Sequence, residues 1–235
     1  MSGIAPYTGT WNLAAARHLA RRTLFGATNA DAAHFHSIGL AQSVTELLAP
    51  APVPAPPVNF YQSIFPDPNI PYGATWVNAV AFPPPDPNII NLRRESVKAW
   101  WFGLMIQQNR SITEKMTLFW HNHFAVEFQN IPSGEACYKY LSTLRANSLG
   151  NFKTLTKLIT IDPAMLYYLN GYLNSATAPD ENYARELQEL FTLGKGPNSQ
   201  YTEDDVKAAA RVLTGFRINP LASPISYYFD AAQHD

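Results

Sequence analysis

The stretch NFKTLTKLITIDPAML, residues 151–166, decides the fold class because it contains two helix starts in succession. Asn151 can accept a hydrogen bond from the first turn of one helix, and Asp162 can do the same for a second helix. Pro163 then stands at the first helical position, where its missing N–H leaves no hydrogen bond unmade. The stretch therefore predicts two consecutive helices joined by a short turn.

The same start and stop signals recur on both sides of this stretch. Residues 111–114 have the form of a capping box that opens a helix toward His121, Ser133 can cap a helix that ends before Gly150, and Gly194 can end the helix of residues 180–193. Further helices are predicted from Thr10 to Leu24, from Thr28 or Asn29 to just before Gly39, on to Leu48, over residues 92–108, and from Thr202 to just before Gly215. We therefore predict a mainly α protein, an array or bundle of about nine to ten helices.

Residues 50–87 interrupt this helical pattern with twelve prolines. Each proline removes a backbone donor and disfavours helix in the residue before it. The segment also carries aromatic residues that a solvated linker does not need, namely Phe60, Tyr61, Phe65, Tyr72, Trp76 and Phe82. We predict a long irregular connector that wraps over the helical body, either as a loop packed by its own aromatics or as a ligand-binding loop.

Three regions follow from these patterns. Residues 1–49 form an N-terminal helical segment, residues 50–90 form the proline-rich aromatic connector, and residues 91–235 form the helical body. The last residues carry no helix stop or cap signal, so the body is expected to be incomplete at its C-terminal end.

The composition indicates a globular protein with a buried core, since 46% of its 235 residues are hydrophobic and its net charge is -1. Basic residues occur only in short clusters, so no nucleic-acid partner is expected. No stretch reaches roughly 20 apolar residues, so no membrane span is expected, and residues 1–24 lack the pattern of a signal peptide. The single cysteine, Cys137, excludes an intramolecular disulfide and zinc sites with several cysteines. Serine-hydrolase, P-loop and dinucleotide-binding motifs are absent.

Four motifs in fixed order carry a resemblance: FWHNHF (119–124), DPAML (162–166), ENYARELQELFTLG (181–194) and AARVLTGF (209–216). Together they resemble the bacterial family catalogued as domain of unknown function 1800, and ARHLARRTLFG (16–26) is similar to the start of that family. The resemblance implies a longer protein, so a C-terminal half of the same protein is an expected partner. It implies export for many members, although no signal peptide is visible here, and it implies no activity.

The strongest candidate site combines His121, His123 and Glu186 as ligands of a divalent transition metal, because imidazole nitrogens and carboxylates are the usual ligands of zinc, iron or manganese. Residues two apart on an α-helix point about 200° apart, so both histidines can bind one ion only if the helix ends or unwinds near Asn122. Glu189 and Glu181 are the candidate catalytic residues, one of them acting either as a base or as a hydrogen-bonding support for the metal ligands.

Two function hypotheses remain open. The first is a metal-assisted enzyme such as a hydrolase, with a His/Glu site between helices. The second is a non-catalytic helical scaffold or an envelope-associated binding module, which uses the proline-rich segment as its contact surface. In that case Glu181, Arg185 and Glu189 form a ladder of surface ion pairs, and the histidines and Glu186 are buried polar struts.

Overall fold

The computed structural model describes residues 5–235, and its architecture is mainly α, as the sequence predicts. Residues 1–4 of the predicted N-terminal segment lie outside the described part. The elements are α1 (Leu13–Thr23), α2 (Asn29–Leu48), α3 (Pro87–Ile106), α4 (Thr113–His123), α5 (Gly134–Ala146), α6 (Phe152–Thr160), α7 (Pro163–Tyr168), α8 (Glu181–Glu186), α9 (Glu203–Val212), β1 (Phe216–Asn219) and β2 (Ser226–Phe229). A π-helix, Leu187–Thr192, follows α8 directly. Within residues 5–235, no helix combines the length and the apolar character needed to cross a bilayer.

Local capping decides where most of these helices begin. Five predicted starts are confirmed, because the cap side chain accepts a hydrogen bond from the first turn at Thr28, Ser133, Asn151, Asp162 and Thr202. The predicted cap Thr10 is wrong, since α1 is capped by Asn12, whose side chain accepts the N–H of Ala15 at 3.0 Å. Helix α3 also begins earlier than predicted, at Pro87, whose fixed φ suits a first helical position.

The described chain forms two compact units. The N-terminal unit contains residues 5–53 and Phe102–Met116, and in it α1 packs against α2. Its buried cluster consists of Ala16, Ala20, Leu24, Phe35 and Leu47. Gly39 interrupts α2 with a φ of 82°, a left-handed conformation that favours glycine, so the predicted helix break lies where the sequence places it.

The C-terminal unit contains Pro54–Trp101 and Thr117–Asp235. Its largest fully buried side chains are Trp76, Tyr140, Tyr183, Phe124, Ile131, Leu141, Leu144, Leu155, Ile159, Met165 and Leu166. The two strands pair antiparallel, with Phe216 opposite Phe229. The apolar core of this unit therefore surrounds α5, α6 and α7, and the predicted site residues from His121 onward belong to the same unit.

Candidate functional site

His121 lies in the last turn of α4 among aromatic rings. Its ring centroid is 5.2 Å from that of Trp101 and 5.7 Å from that of Tyr140, and its Nδ1 is 3.4 Å from the Tyr140 hydroxyl. Burial lowers the pKa of His121, because removing the imidazolium from water disfavours the charged form. The aromatic surroundings of His121 therefore favour its neutral form.

His123 has a different environment. Its Nε2 is 2.9 Å from the carbonyl oxygen of Phe191, the distance of a hydrogen bond, and its ring packs edge-on against Phe124 at 4.7 Å. Phe191 belongs to the π-helix, so His123 joins the end of α4 to that segment. The end of α4 therefore contacts the segment that follows α8 through a backbone carbonyl.

Cations hold two of the predicted carboxylates. Arg185 Nη2 lies 3.5 Å from Glu181 Oε2 and also forms a two-pronged ion pair with Glu203, at 2.6 and 2.8 Å. Lys195 Nζ lies 2.6 Å from Glu189 Oε1. Glu181 and Glu189 thus both form ion pairs. The predicted ladder places Arg185 between the two glutamates, whereas Glu189 forms its ion pair with Lys195.

The predicted metal ligands are not brought into one cluster. Helix α4 continues through His123, so Asn122 does not end it early, and the two imidazole rings meet different partners. Glu186 is partly exposed at the last position before the π-helix. Among residues 5–235, no group of three or more His, Cys, Asp or Glu side chains is placed to hold a metal ion.

A buried ionic cluster around Arg93 was not predicted. The Arg93 guanidinium is only 2% exposed and donates to Asp67 at 2.6 Å, to Glu135, and to the Tyr61 hydroxyl at 3.2 Å. It also lies 5.9 Å from the centroid of the Trp76 ring. Burial alone raises the pKa of Asp67, but its hydrogen bonds from Arg93 and from the backbone hold the pKa below its usual value.

This cluster fixes the proline-rich segment to two helices. Asp67 and Tyr61 come from the segment, Arg93 from α3 and Glu135 from the first turn of α5. A buried ion pair must be hydrogen-bonded on all sides to offset its loss of hydration, and Ser133 adds a hydrogen bond of 2.8 Å to the second oxygen of Glu135. The segment is therefore anchored at one place by charge, which positions its remaining aromatic residues.

The anchored segment and α3 enclose an apolar groove with a volume of about 500 Å³. We call it the apolar groove, and its lining consists of Pro56, Pro57, Val58, Phe60, Tyr61, Ile64, Leu92, Glu95, Ser96, Ala99 and Trp100. Trp100 forms one wall and is held by a 2.7 Å hydrogen bond from its indole N–H to the carbonyl of Ala55. Phe60 and Ile64 are 68% and 74% exposed, which is far more than apolar side chains of a packed loop need.

Sequence reasoning found the aromatic content of this segment but not the groove. The signal is the pair Pro56-Pro57 followed closely by the large apolar residues Phe60, Tyr61, Ile64 and Phe65. The helix that forms the other wall lies about thirty residues away in sequence, so only the tertiary structure joins the two walls.

A family model described as "Protein of unknown function (DUF1800)" matches residues 18–235. No curated protein and no solved structure matches the chain.

Proposed function

Since the chain belongs to the DUF1800 family, whose description assigns no activity, we propose from its own residues that it is a non-catalytic binding module. The contact surface is the apolar groove, and the ligand is an extended protein segment with apolar side chains and one basic residue. The observation that carries this proposal is the groove itself, an exposed cleft lined by three aromatic rings and two prolines.

The lining supports an extended peptide as the ligand. Phe60 and Trp100 offer flat apolar surfaces beside the buried ring of Tyr61, and grooves lined by aromatic side chains are a recurring means of binding extended, proline-containing segments. A volume of about 500 Å³ falls within the usual range of ligand-binding clefts. Burial of apolar surface supplies the affinity, at about 25 cal/mol for each Å² removed from water.

Glu95 supplies charge complementarity at the groove. Its carboxylate pairs with Lys98 at 2.7 Å in an exposed i,i+3 arrangement. Such a surface pair contributes only about 0.3–0.5 kcal/mol, so a basic residue of the ligand can replace Lys98 at little cost. The preferred ligand therefore carries a lysine or arginine next to its apolar residues.

Fluorescence anisotropy tests this proposal with a labelled peptide of alternating proline and leucine that ends in lysine. Phe60→Ser and Ile64→Ser should each raise the Kd at least about tenfold, because each removes a side chain that closes the groove. Both side chains are exposed, so the fold should survive. Phe82→Ser is the matched control, since Phe82 is an exposed aromatic of the same segment outside the groove.

Glu95→Gln should weaken binding of the lysine peptide while leaving binding of a lysine-free version unchanged. The proposal is overturned if the wild-type chain does not bind the peptide. It is also overturned if the Phe60, Ile64 and Phe82 variants all bind equally.

One observation favours the metal-assisted enzyme as a second candidate. The π-helix lies directly beside His123, and π-helical turns are rare and frequently occur at functional sites. In this candidate, His121 or His123 and Glu186 bind a divalent transition metal, and Glu189 or Glu181 acts as a base.

Elemental analysis of protein purified without a metal-affinity column tests this second candidate. The metal-assisted enzyme requires a near-stoichiometric transition metal in the wild-type chain. The metal should be lost in His121→Ala and in Glu186→Gln. His36→Ala, at an exposed histidine of the N-terminal unit, is the control that must retain the metal. A well-folded wild-type chain without metal excludes the candidate.

A further inference from the structure

The outer side of strand β2 is a surface that neither candidate function uses. The sheet within residues 5–235 has two strands, so β2 pairs with β1 along one side only. Apart from this pairing, the backbone of Ser226–Phe229 has no hydrogen-bond partner among the described residues. The outer side of β2 is therefore an unpaired edge, to which an extended strand can add.

The register of the two strands decides which backbone groups point outward at this edge. Gly215 and Asp230 continue the register, and the Asp230 N–H donates to the Gly215 carbonyl at 2.8 Å. Hydrogen-bonded and non-hydrogen-bonded pairs alternate along an antiparallel ladder, so Tyr228 bonds to β1 whereas Tyr227 and Phe229 do not. The N–H and C=O groups of Tyr227 and Phe229 therefore point away from β1, which gives the edge two donors and two acceptors.

The side chains of β2 do not protect this edge from pairing. Natural edge strands commonly carry charged residues, prolines or bulges that prevent pairing with another chain. Strand β2 has none of the three, because its sequence is SYYF and its register with β1 is continuous. Tyr227, Tyr228 and Phe229 are 40%, 48% and 47% exposed, so three large aromatic side chains flank the open backbone groups.

A second copy of β2 fits this edge in a register that uses all the outward backbone groups. Outward-facing residues of one strand must lie opposite outward-facing residues of the other to exchange hydrogen bonds. A two-fold axis at Tyr228 meets this condition, because it places Tyr227 of each copy opposite Phe229 of the other. The two pairs then exchange four backbone hydrogen bonds, two donated by each copy. Tyr228 faces Tyr228 of the second copy as a close, non-hydrogen-bonded pair, and aromatic cross-strand pairs of this kind stabilise a sheet.

Two charged side chains complement each other in this register. Lys139 Nζ donates to the Ile225 carbonyl at 2.7 Å, just before β2, and has no carboxylate partner within the described part of the chain. Asp230 directly follows β2; its Oδ1 accepts the N–H of Ala232 at 3.1 Å, and its carboxylate has no cation partner among the same residues. The two-fold axis places Asp230 of one copy opposite Ser226 of the other, next to Ile225 and its lysine. Each end of the paired strands thus combines a cation with an anion, which favours a second copy over an unrelated strand.

We propose that the chain forms a two-fold symmetric dimer in which β2 pairs antiparallel with β2 of a second copy. The interface is isologous, since the same residues supply both sides, and it joins the two hairpins into one four-stranded sheet. Four hydrogen bonds and six aromatic side chains make a small interface, so the dimer is weak and reversible. This dimer is independent of the proposed function, because β2 and the apolar groove share no residue.

Sedimentation velocity of the whole chain over a range of concentrations tests the dimer. The wild-type chain should dimerise with a Kd of about 100 µM or lower. Tyr228→Lys and Tyr228→Glu should each raise this Kd at least about tenfold, because each places two like charges directly opposite at the two-fold axis. Tyr228 is 48% exposed, so both variants should keep the fold.

An equal mixture of Tyr228→Lys and Tyr228→Glu identifies the register. The register centred on Tyr228 places the two new charges together, so the mixture should form a heterodimer with a Kd at least about tenfold lower than that of either variant alone. Recovery in the mixture also shows that both variants are folded. Tyr72→Lys is the matched control, since Tyr72 is an exposed tyrosine outside β2, and this variant should dimerise like the wild type.

The proposed dimer is overturned if the wild-type chain stays monomeric at about 500 µM, well above the expected Kd. It is also overturned if Tyr228→Lys dimerises as strongly as Tyr72→Lys. A mixture of the two Tyr228 variants that stays as monomeric as each variant alone overturns it as well, because β2 then does not pair with itself in this register.

Discussion

Gly134 and Arg93 approach so closely that a Cβ atom placed on the glycine would stand 2.5 Å from the Cβ atom of the arginine. Gly134 is the first residue of α5, and its position brings that helix against α3 where the Arg93 guanidinium binds Glu135. The absence of a side chain at residue 134 thus permits the ionic cluster that anchors the proline-rich segment.

Gly134→Ala should destabilise the protein by about 1–3 kcal/mol, because the added methyl group forces α3 and α5 apart or distorts Arg93. Gly103→Ala, in the same α3 as Arg93, is the control. Nothing lies within 4 Å of a Cβ atom at Gly103, so this change should stabilise the helix by up to about 1 kcal/mol. Urea denaturation measures both, and equal effects of the two substitutions would contradict the close approach.

Arg93→Met should lower the free energy of unfolding by about 3–5 kcal/mol, because it leaves Asp67 and Glu135 buried without a counter-charge. The triple variant that combines Arg93→Met with Asp67→Asn and Glu135→Gln should lose less free energy of unfolding than Arg93→Met alone. Lys98→Met is the control on the same helix, since its pair with Glu95 is exposed and worth about 0.5 kcal/mol or less. A triple variant less stable than the single one would refute this account of the cluster.

The helical architecture could be predicted because helix starts are encoded locally. A cap such as Ser133 or Asp162 hydrogen-bonds to residues two or three positions away, so a short stretch of sequence contains both partners. The prediction of Thr10 as the cap of α1 was wrong because Asn12 offers an equivalent side chain closer to the apolar residues of the helix. Local signals therefore fix the existence of a helix better than its first residue.

The groups that position the candidate sites could not be predicted in the same way. Asp67, Arg93 and Glu135 come from three separate segments, and no local pattern marks an ion pair across such distances. The π-helix has the same apolar spacing as an α-helix over so few residues, so its unusual hydrogen bonding is invisible in the sequence. The directions of the His121 and His123 rings likewise depend on the aromatic residues around them.

Asp162→Asn should flatten the pH dependence of stability between about pH 4 and pH 8. Burial raises the pKa of Asp162 to about 7, above a value of about 4 in the unfolded chain. The stability that this group contributes is therefore present in full below about pH 4 and is lost as the pH rises through about 7. Asparagine keeps an oxygen for the N–H of Ala164, now 2.9 Å from Asp162 Oδ1, and does not titrate.

Thermal melts over this pH range measure the effect, and Asp180→Asn is the control. Asp180 likewise caps a helix, α8, through the N–H of Asn182 at 2.8 Å, but it is only partly buried, so Asp180→Asn is the same substitution at a cap outside the core. If the melting temperature of Asp162→Asn falls with rising pH as steeply as that of the wild type, Asp162 is not the titrating group.

His121→Phe should make the protein less sensitive to acid. Burial lowers the pKa of His121 in the folded chain below its unfolded value of about 6.5, so the folded state disfavours the imidazolium. The stability that neutral His121 contributes is thus present above about pH 6.5 and is lost as the pH falls through the lower, folded pKa. Phenylalanine can occupy the same place between Trp101 and Tyr140 without titrating, and His36→Phe, the same substitution at an exposed histidine, is the control. Thermal melts from pH 7.5 down to about 4.5 with a chelator present distinguish this role from metal binding. If His121 is only a buried polar side chain of the core, it needs no metal, and the chelator should not alter the wild-type profile. A chelator-dependent loss of stability that His121→Phe abolishes would show instead that His121 binds a metal.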